Sequence, residues 1–69
     1  MSAEARDDLR LARLRKGYSQ EALAAAADLA RDTVRRAEAG QSIGPTTARK
    51  LAEQLDMTPG EVLGLEEAA

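Results

Sequence analysis

The stretch GYSQEALAAAADLARDTVRRAEAG, residues 17–40, decides the fold of this chain. Ser19 precedes an apolar helical segment and is a preferred N-cap residue, so we expect a helix from Gln20 to Ala26. A second helix is expected from about Arg31 to Glu38, ended by a glycine. Only residues 27–30 separate these two helices, so the turn between them is short.

Three further helices are predicted around this stretch. The first runs from about Asp7 to Lys16 and ends before a glycine. The fourth is expected from a cap at Thr46 to near Leu55, and the fifth, opened by a capping box, from Thr58 to about Leu65. Residues 66–69 are expected to fray. No alternating β-branched run indicates a strand, so the expected fold is all-α, a compact bundle of five short helices in a single domain over residues 1–69.

The expected core is aliphatic and small. Phe and Trp are absent and Tyr18 is the only aromatic residue, so Leu, Ala, Val, Ile and Met must fill it. Such a core supplies roughly a few kcal/mol of net stability. The residues expected to face inward are Leu9, Ala12 and Arg13 in the first helix, Leu23, Ala24 and Ala27 in the second, Val34 and Ala37 in the third, and Thr47, Ala48, Leu51, Ala52 and Leu55 in the fourth.

Charge is distributed unevenly along the chain. The formal net charge is -2, and the pI is about 5.0, which argues against a nucleic-acid partner. Between Leu9 and Lys50, however, nine basic residues stand against four acidic ones, whereas the two ends hold one arginine and eight acids. A basic centre suits a phosphate-facing surface, although dispersed solubilising charge produces the same pattern.

The composition excludes several kinds of site. Cysteine and histidine are both absent, so neither a disulfide framework nor a thiolate or imidazole metal site is expected, and the commonest general base is missing. No glycine-rich phosphate loop occurs, and the paired acids Glu66 and Glu67 lie in the tail. We therefore expect no catalysis, no cofactor, no metal and no small-molecule substrate. No apolar run reaches the length of a membrane span and the N-terminus is charged, so we expect a soluble cytoplasmic protein without a membrane partner.

A set of residues between Leu9 and Leu65 has a characteristic order and spacing: Arg13, Gly17-Tyr18-Ser19-Gln20-Glu21-Ala22-Leu23-Ala24, Thr33-Val34, Glu38-Ala39-Gly40, Pro45, and Leu51-Ala52 through Leu55. In this order and spacing the run resembles the lambda-repressor- and Cro-like (XRE-type) family of helix-turn-helix DNA-binding domains. The resemblance implies that the second and third helices form the motif, about residues 20–38, and that the third lies in the major groove of double-stranded DNA.

The resemblance also implies which residues contact bases. Arg31, Asp32 and Arg36 occupy the positions that usually meet bases in the family, with Thr33 beside them. An arginine can donate two hydrogen bonds to guanine, and the alternative is a phosphate clamp or a solvated helix face. Asp32 can accept from a cytosine amino group or complement the helix dipole. Thr33 can contact a thymine methyl group or cap the turn.

A further set of residues is implied to contact phosphate, which positions a protein without specifying sequence. Gln20 resembles the phosphate anchor of the family, with an ordinary first-turn residue as the alternative. Arg35 is expected to touch phosphate or to pair with Asp32 or Glu38. The other members of the set are Ser19, Gln41, Ser42, Thr46 and Arg49.

Three positions bear on how well the motif is held. Arg13 and Glu38 stand where the family often places a buried structural ion pair between the first helix and the end of the third. Ala30 replaces the serine or threonine that usually caps the third helix, a loss of about 1 kcal/mol. Asp28 replaces a common turn glycine, which is tolerable because Asp enters the left-handed region more readily than most residues.

The implied function is sequence-specific binding of double-stranded DNA by a transcriptional regulator, most simply a repressor, associated with the nucleoid. A single reading helix covers few base pairs, so a homodimer on a palindromic operator is expected. The alternative function is a protein-interaction module on the same fold, such as an antitoxin or coactivator. Candidates for the dimer interface, or else for packing between the first and fifth helices, are Leu11, Leu14, Val62 and Leu65.

Overall fold

The computed structural model describes residues 5–65, and in this part of the chain all regular structure is helical. The helices are α1 (Asp7–Arg15), α2 (Gln20–Ala26), α3 (Arg31–Glu38), α4 (Pro45–Leu55) and α5 (Pro59–Leu63). Helix α2 packs on α3 and α4 packs on α5, while α1 contacts both α3 and α4. The predicted all-α bundle of five short helices is therefore confirmed. None of the described helices is both long and apolar enough to cross a membrane, and the expected fraying of residues 66–69 lies outside the described residues.

Two helix ends differ from the expectation. Thr46 was predicted as the cap of α4, but the N-cap is Gly44 and the first helical residue is Pro45. Proline suits this first position because its fixed φ is already helical and its missing N–H needs no partner there. Helix α5 ends at Leu63 and not at Leu65, because Gly64 adopts a left-handed φ of 75°. A left-handed residue at this point stops a helix.

Two of the predicted caps are confirmed. The Ser19 hydroxyl accepts a hydrogen bond from the Ala22 N–H at 3.0 Å and caps α2. At α5, Thr58 Oγ1 accepts from the Glu61 N–H at 3.1 Å, and Glu61 Oε1 accepts from the Thr58 N–H at 2.8 Å. Ala30, the N-cap of α3, has no side chain to play this part, although its φ of -75° and ψ of 146° match an N-cap geometry.

The core is built from aliphatic side chains of all five helices, and Leu23 and Leu51, each 1% exposed, are the largest of its almost completely buried side chains. Tyr18 packs at the edge of this core, and its hydroxyl donates a hydrogen bond to Gln54 Oε1 of α4 at 3.2 Å. The buried set includes most of the residues predicted to face inward, while Ala12 and Thr47 are half-buried. Its members are Leu9, Leu23, Ala24, Ala27, Val34, Ala37, Ala48, Leu51, Ala52, Leu55 and Val62.

Val62 belongs to this core, so of the two roles predicted for it, packing between helices holds and the dimer interface does not. Only 1% of its surface is exposed, because the apolar face of α5 packs against α4. The other three candidates lie outside the core. Leu11 and Leu14 are each 47% exposed and Leu65 is 70% exposed.

An ion pair crosses the interior of the bundle. Arg13 Nε donates to Glu38 Oε2 at 2.6 Å, and Nη2 donates to Oε1 at 3.2 Å. The two side chains are 10% and 9% exposed. Arg13 Nη1 also donates to the carbonyl of Tyr18 at 2.9 Å. One guanidinium therefore ties α1 to the end of α3 and to the segment that leads into α2.

Arg6 fastens the N-terminal segment to α3 and α5. Its Nη1 donates to the Val62 carbonyl at 2.9 Å, and its Nη2 donates to the Glu61 carbonyl at 2.8 Å. Its backbone N–H donates to the Glu38 carbonyl at 2.7 Å. The same guanidinium binds the Asp8 carboxylate, with Nε 3.0 Å from Oδ1 and Nη2 2.9 Å from Oδ2. Carbonyls in the last turns of two helices therefore accept hydrogen bonds from Arg6, and the Glu61 carbonyl also accepts from the Gly64 N–H at 3.1 Å.

Breaking the Arg13–Glu38 pair is the first test of this fold. We expect Glu38→Ala to lower the free energy of unfolding by about 3 kcal/mol, because it leaves the Arg13 charge buried without its carboxylate. Urea denaturation followed by circular dichroism measures the loss. Glu53→Ala, at an exposed position of α4, is the matched control and should change the free energy by less than about 0.5 kcal/mol. A loss below about 1 kcal/mol for Glu38→Ala would show that the pair is not effectively buried.

The Arg6–Asp8 contact predicts a weak dependence of stability on pH. Hydrogen bonds from the Arg6 guanidinium hold the pKa of Asp8 below its usual value. The stabilisation is therefore present above the unfolded pKa of about 3.9 and is lost as pH falls through the lower folded value. We expect Asp8→Asn to cost at most about 0.5 kcal/mol at neutral pH, since the Asp8 side chain is 54% exposed, and nothing in strong acid. Urea unfolding at a series of pH values measures the difference in unfolding free energy between the wild-type protein and Asp8→Asn, with Asp7→Asn as control. A difference that grows as the pH falls would contradict the expected pH dependence.

The caps of α2 and α3 predict a pair of opposite effects. We expect Ala30→Ser to raise the free energy of unfolding by about 1 kcal/mol, because a hydroxyl in this backbone geometry accepts from the first turn of α3. Ser19→Ala should lower it by about the same amount. Thermal and urea unfolding measure both changes. Ala22→Ser, at an exposed position inside α2, controls for the added hydroxyl and should not stabilise; a destabilising Ala30→Ser would refute the proposed capping.

Candidate nucleic-acid interface

Helix α3 has one buried face and one charged, exposed edge. Val34 and Ala37 point into the core, and Thr33 is half-buried beside them. Because one face of the helix is fixed by packing, the direction of the opposite side chains is fixed as well. The residues of this charged edge, called the α3 edge from here on, are Arg31, Asp32, Arg35 and Arg36.

Asp32 lies between two of the three arginines of the α3 edge. Arg35 donates to Asp32 Oδ1 from Nε at 2.9 Å and from Nη2 at 2.6 Å. Arg36 Nη1 lies 3.7 Å from Asp32 Oδ2, and Arg36 Nε donates to Gln41 Oε1 at 3.3 Å. Arg31 has no ion pair within residues 5–65. The α3 edge therefore carries a net positive charge, with Arg31 free to meet a ligand.

The turn between α2 and α3 sets the direction of the α3 edge. Asp28 has a φ of 57°, in the left-handed region that Asp enters more readily than most residues. The Leu29 N–H donates to the Ala24 carbonyl at 2.8 Å and closes the turn. Lys50 Nζ of α4 donates to the Asp28 carbonyl at 3.5 Å. The left-handed backbone expected at Asp28 is confirmed.

Gln20 lies beside the end of α3. The side chain is half-buried, and its Nε2 donates to Glu38 Oε1 at 3.2 Å. Its amide thus joins the Arg13–Glu38 pair, a contact that helical periodicity does not reveal. The part of Gln20 as a phosphate anchor stays a prediction.

The remaining residues predicted to contact phosphate are exposed but are not drawn together by polar contacts. Gln41 is linked to the α3 edge through Arg36, and the hydroxyl of Ser19 is engaged in its cap. Within the described chain, no hydrogen bond or ion pair joins the other three to α3, so their roles stay predictions. These three are Ser42, Thr46 and Arg49.

The chemistry that the α3 edge offers is hydrogen-bond donation and neutralisation of negative charge. Guanidinium groups present several N–H donors in a fixed plane, which match guanine and phosphate acceptors. Among residues 5–65, no cluster of three or more acidic side chains is arranged to hold a metal ion. The site is therefore suited to binding an anionic, acceptor-rich surface.

Comparison with known proteins shows which family has this arrangement. A family model described as Helix-turn-helix matches residues 9–62. The crystal structure of the restriction-modification controller protein C.AhdI from Aeromonas hydrophila is 42% identical, with a TM-score of 0.69, and the match covers 78% of this chain and 83% of that one. The structure of a hypothetical transcription factor, NHTF, from Neisseria is 33% identical with a TM-score of 0.70 and covers 81% of this chain. A search of curated proteins found no match.

These findings agree with the geometry. The matched residues 9–62 contain α2, the turn and α3, and the chain spans 64% of the Neisseria protein. Proteins of the matched family are DNA-binding regulators of transcription and not enzymes. The chain belongs to the lambda-repressor- and Cro-like (XRE-type) helix-turn-helix family.

Proposed function

We propose that this protein regulates transcription by binding a specific sequence of double-stranded DNA with α3 in the major groove, most simply as a repressor. The α3 edge is the observation that carries the proposal, because three arginines project from a helix whose other face is buried. The major groove of B-DNA is wide enough for an α-helix and displays a distinct pattern of donors and acceptors for each base pair. The similarity to a restriction-modification controller protein supports a regulatory role.

Arg31 and Arg36 are the proposed readers of bases. Each can donate two hydrogen bonds to guanine O6 and N7, a contact worth about 1 to 3 kcal/mol of discrimination. Arg31 opens α3, the end that contacts base edges in this family. Arg36 is oriented by Gln41 and by Asp32. Thr33 and Asp32, which lie between these two arginines in the sequence, are the other residues predicted to lie at the bases.

A second set of residues is proposed to hold the DNA backbone. Arg35 extends the positive charge of the α3 edge, and Arg49 of α4 is an exposed cation without an ion pair among the described residues. Contacts of this kind supply affinity for any sequence and make binding sensitive to salt. The other proposed members are Ser19, Gln20, Gln41, Ser42 and Thr46.

We further infer that two copies bind a palindromic operator, because one reading helix covers only a few base pairs. The exposed leucines Leu11, Leu14 and Leu65 offer the apolar surface for such a dimer. Leu11 also lines an open groove between α1 and the turn that joins α4 to α5. On this proposal the protein acts on the nucleoid, in the cytoplasm.

Selection of bound duplexes from a random pool tests the proposal. We expect an enriched inverted repeat with half-sites centred about 10 base pairs apart, and an affinity that falls steeply with salt. Arg36→Ala should cost about 1 to 3 kcal/mol on the selected duplex and relax the preference at one or two base positions. Gln20→Ala should weaken all sequences nearly equally.

Arg10→Ala is the control for loss of an arginine, since Arg10 is exposed on α1 and outside the proposed interface. It should leave the base preference unchanged. If Arg36→Ala and Gln20→Ala both lowered affinity uniformly, the assigned roles would be wrong. If no duplex were enriched and the chain instead bound a protein partner with an affinity that does not depend on salt, the protein-interaction module would be favoured.

A further inference from the structure

Asp32 places a carboxylate on a surface that is otherwise suited to binding an anion. The second acid of α3, Glu38, is 9% exposed and is engaged by Arg13, so Asp32 is the acidic member of the α3 edge. We propose that Asp32 is a specificity-determining residue: it compensates the charges of Arg35 and Arg36 and so weakens binding to phosphate more than binding to the correct bases. The inference rests on the proposed function of α3 as the reading helix.

The geometry gives the two arginines one shared counter-charge. Arg35 places two donors on one oxygen of Asp32, at 2.9 and 2.6 Å, and Arg36 approaches the other oxygen at 3.7 Å. All three side chains are more than half exposed, at 56%, 54% and 58% for Arg35, Arg36 and Asp32. The pairs are therefore weak in water and can be exchanged for contacts to DNA.

Arg36 is held from two sides without using all of its donors. Asp32 faces Nη1, and Gln41 accepts from Nε at 3.3 Å. A guanidinium carries five N–H donors, so the remaining ones can still reach the edge of a base. Asp32 and Gln41 together orient the group that the proposed function assigns to base reading.

The two kinds of DNA contact respond differently to this carboxylate. Binding to any sequence depends on cations that neutralise phosphates and release counterions. An arginine whose charge is already compensated by Asp32 gains less from a phosphate, and the carboxylate itself repels that phosphate. Base edges are neutral acceptors, so a hydrogen bond from Arg36 to guanine is compatible with its contact to Asp32. Specificity is a ratio of affinities, and lowering the non-specific affinity raises that ratio.

Asp32→Asn tests the inference because it removes the charge and keeps the shape. The probes are a duplex selected by the wild-type protein from a random pool and a scrambled duplex of the same composition, with affinity measured by fluorescence anisotropy over a range of salt. We expect the affinity for the scrambled duplex to rise about three- to tenfold. The slope of log affinity against log salt concentration should become steeper by about one released counterion. The affinity for the selected duplex should change less than about twofold.

Two further variants separate this mechanism from a general charge effect. Glu53→Gln makes the same change in net charge at an exposed position of α4. It should change the affinity for both duplexes equally and only slightly. In a background that carries Arg35→Ala and Arg36→Ala, Asp32→Asn should raise the affinity for the scrambled duplex no more than Glu53→Gln does, because the two arginine charges that it would release are gone.

Each remaining outcome counts against the inference. The inference is overturned if Asp32→Asn raises the affinity for both duplexes equally, or if it changes the affinity for the scrambled duplex no more than Glu53→Gln does. A changed preference at one base pair without a gain on the scrambled duplex also overturns it and makes Asp32 a direct reader of cytosine. If the wild-type protein selects no duplex, the proposed function itself fails; a wild-type protein that selects a duplex while Asp32→Asn behaves like Glu53→Gln removes only the role of Asp32.

Discussion

The ion pair between Arg13 and Glu38 is the constraint on which the position of α3 depends. The aliphatic core holds α1, α2 and α3 together but does little to fix their relative orientation, because its many alanine side chains are small and interlock weakly. The guanidinium of Arg13 fixes this orientation, since it binds both the Glu38 carboxylate and the Tyr18 carbonyl. A buried ion pair adds little net stability once the cost of desolvation is counted. Its effect here is to fix where α3 lies relative to α1 and to the start of α2.

Local signals in the sequence predicted most of the fold, and they failed where two signals compete. The bounds of α2 and α3 were predicted because a cap residue, a turn aspartate and a glycine mark their ends. At α4, Thr46 is a common cap residue, but Pro45 before it is a stronger first helical residue, and the helix begins there. At α5 the apolar Leu65 extended the pattern past Gly64, whose left-handed backbone ends the helix.

The sequence was enough to predict which residues of α3 face the core and which face outward, but not most of the contacts between side chains at the candidate site. Helical periodicity sufficed to place the arginines of the α3 edge opposite the buried Val34. It did not reveal the contact of Gln20 with Glu38 or that of Arg36 with Gln41, because these partners come from different segments and meet only after folding. The bonds of Arg6 to carbonyls of α5 left no trace in the pattern either, since any residue supplies a carbonyl.

A consequence for observing the molecule follows from its single aromatic ring. Tyr18 lies at the junction of α1 and α2, its carbonyl accepts from Arg13, and its hydroxyl donates to Gln54 of α4. With no Trp or Phe in the chain, ultraviolet emission and near-ultraviolet dichroism come from this one chromophore. The protein thus carries an intrinsic optical reporter, free of background from other rings, at the point where three helices meet.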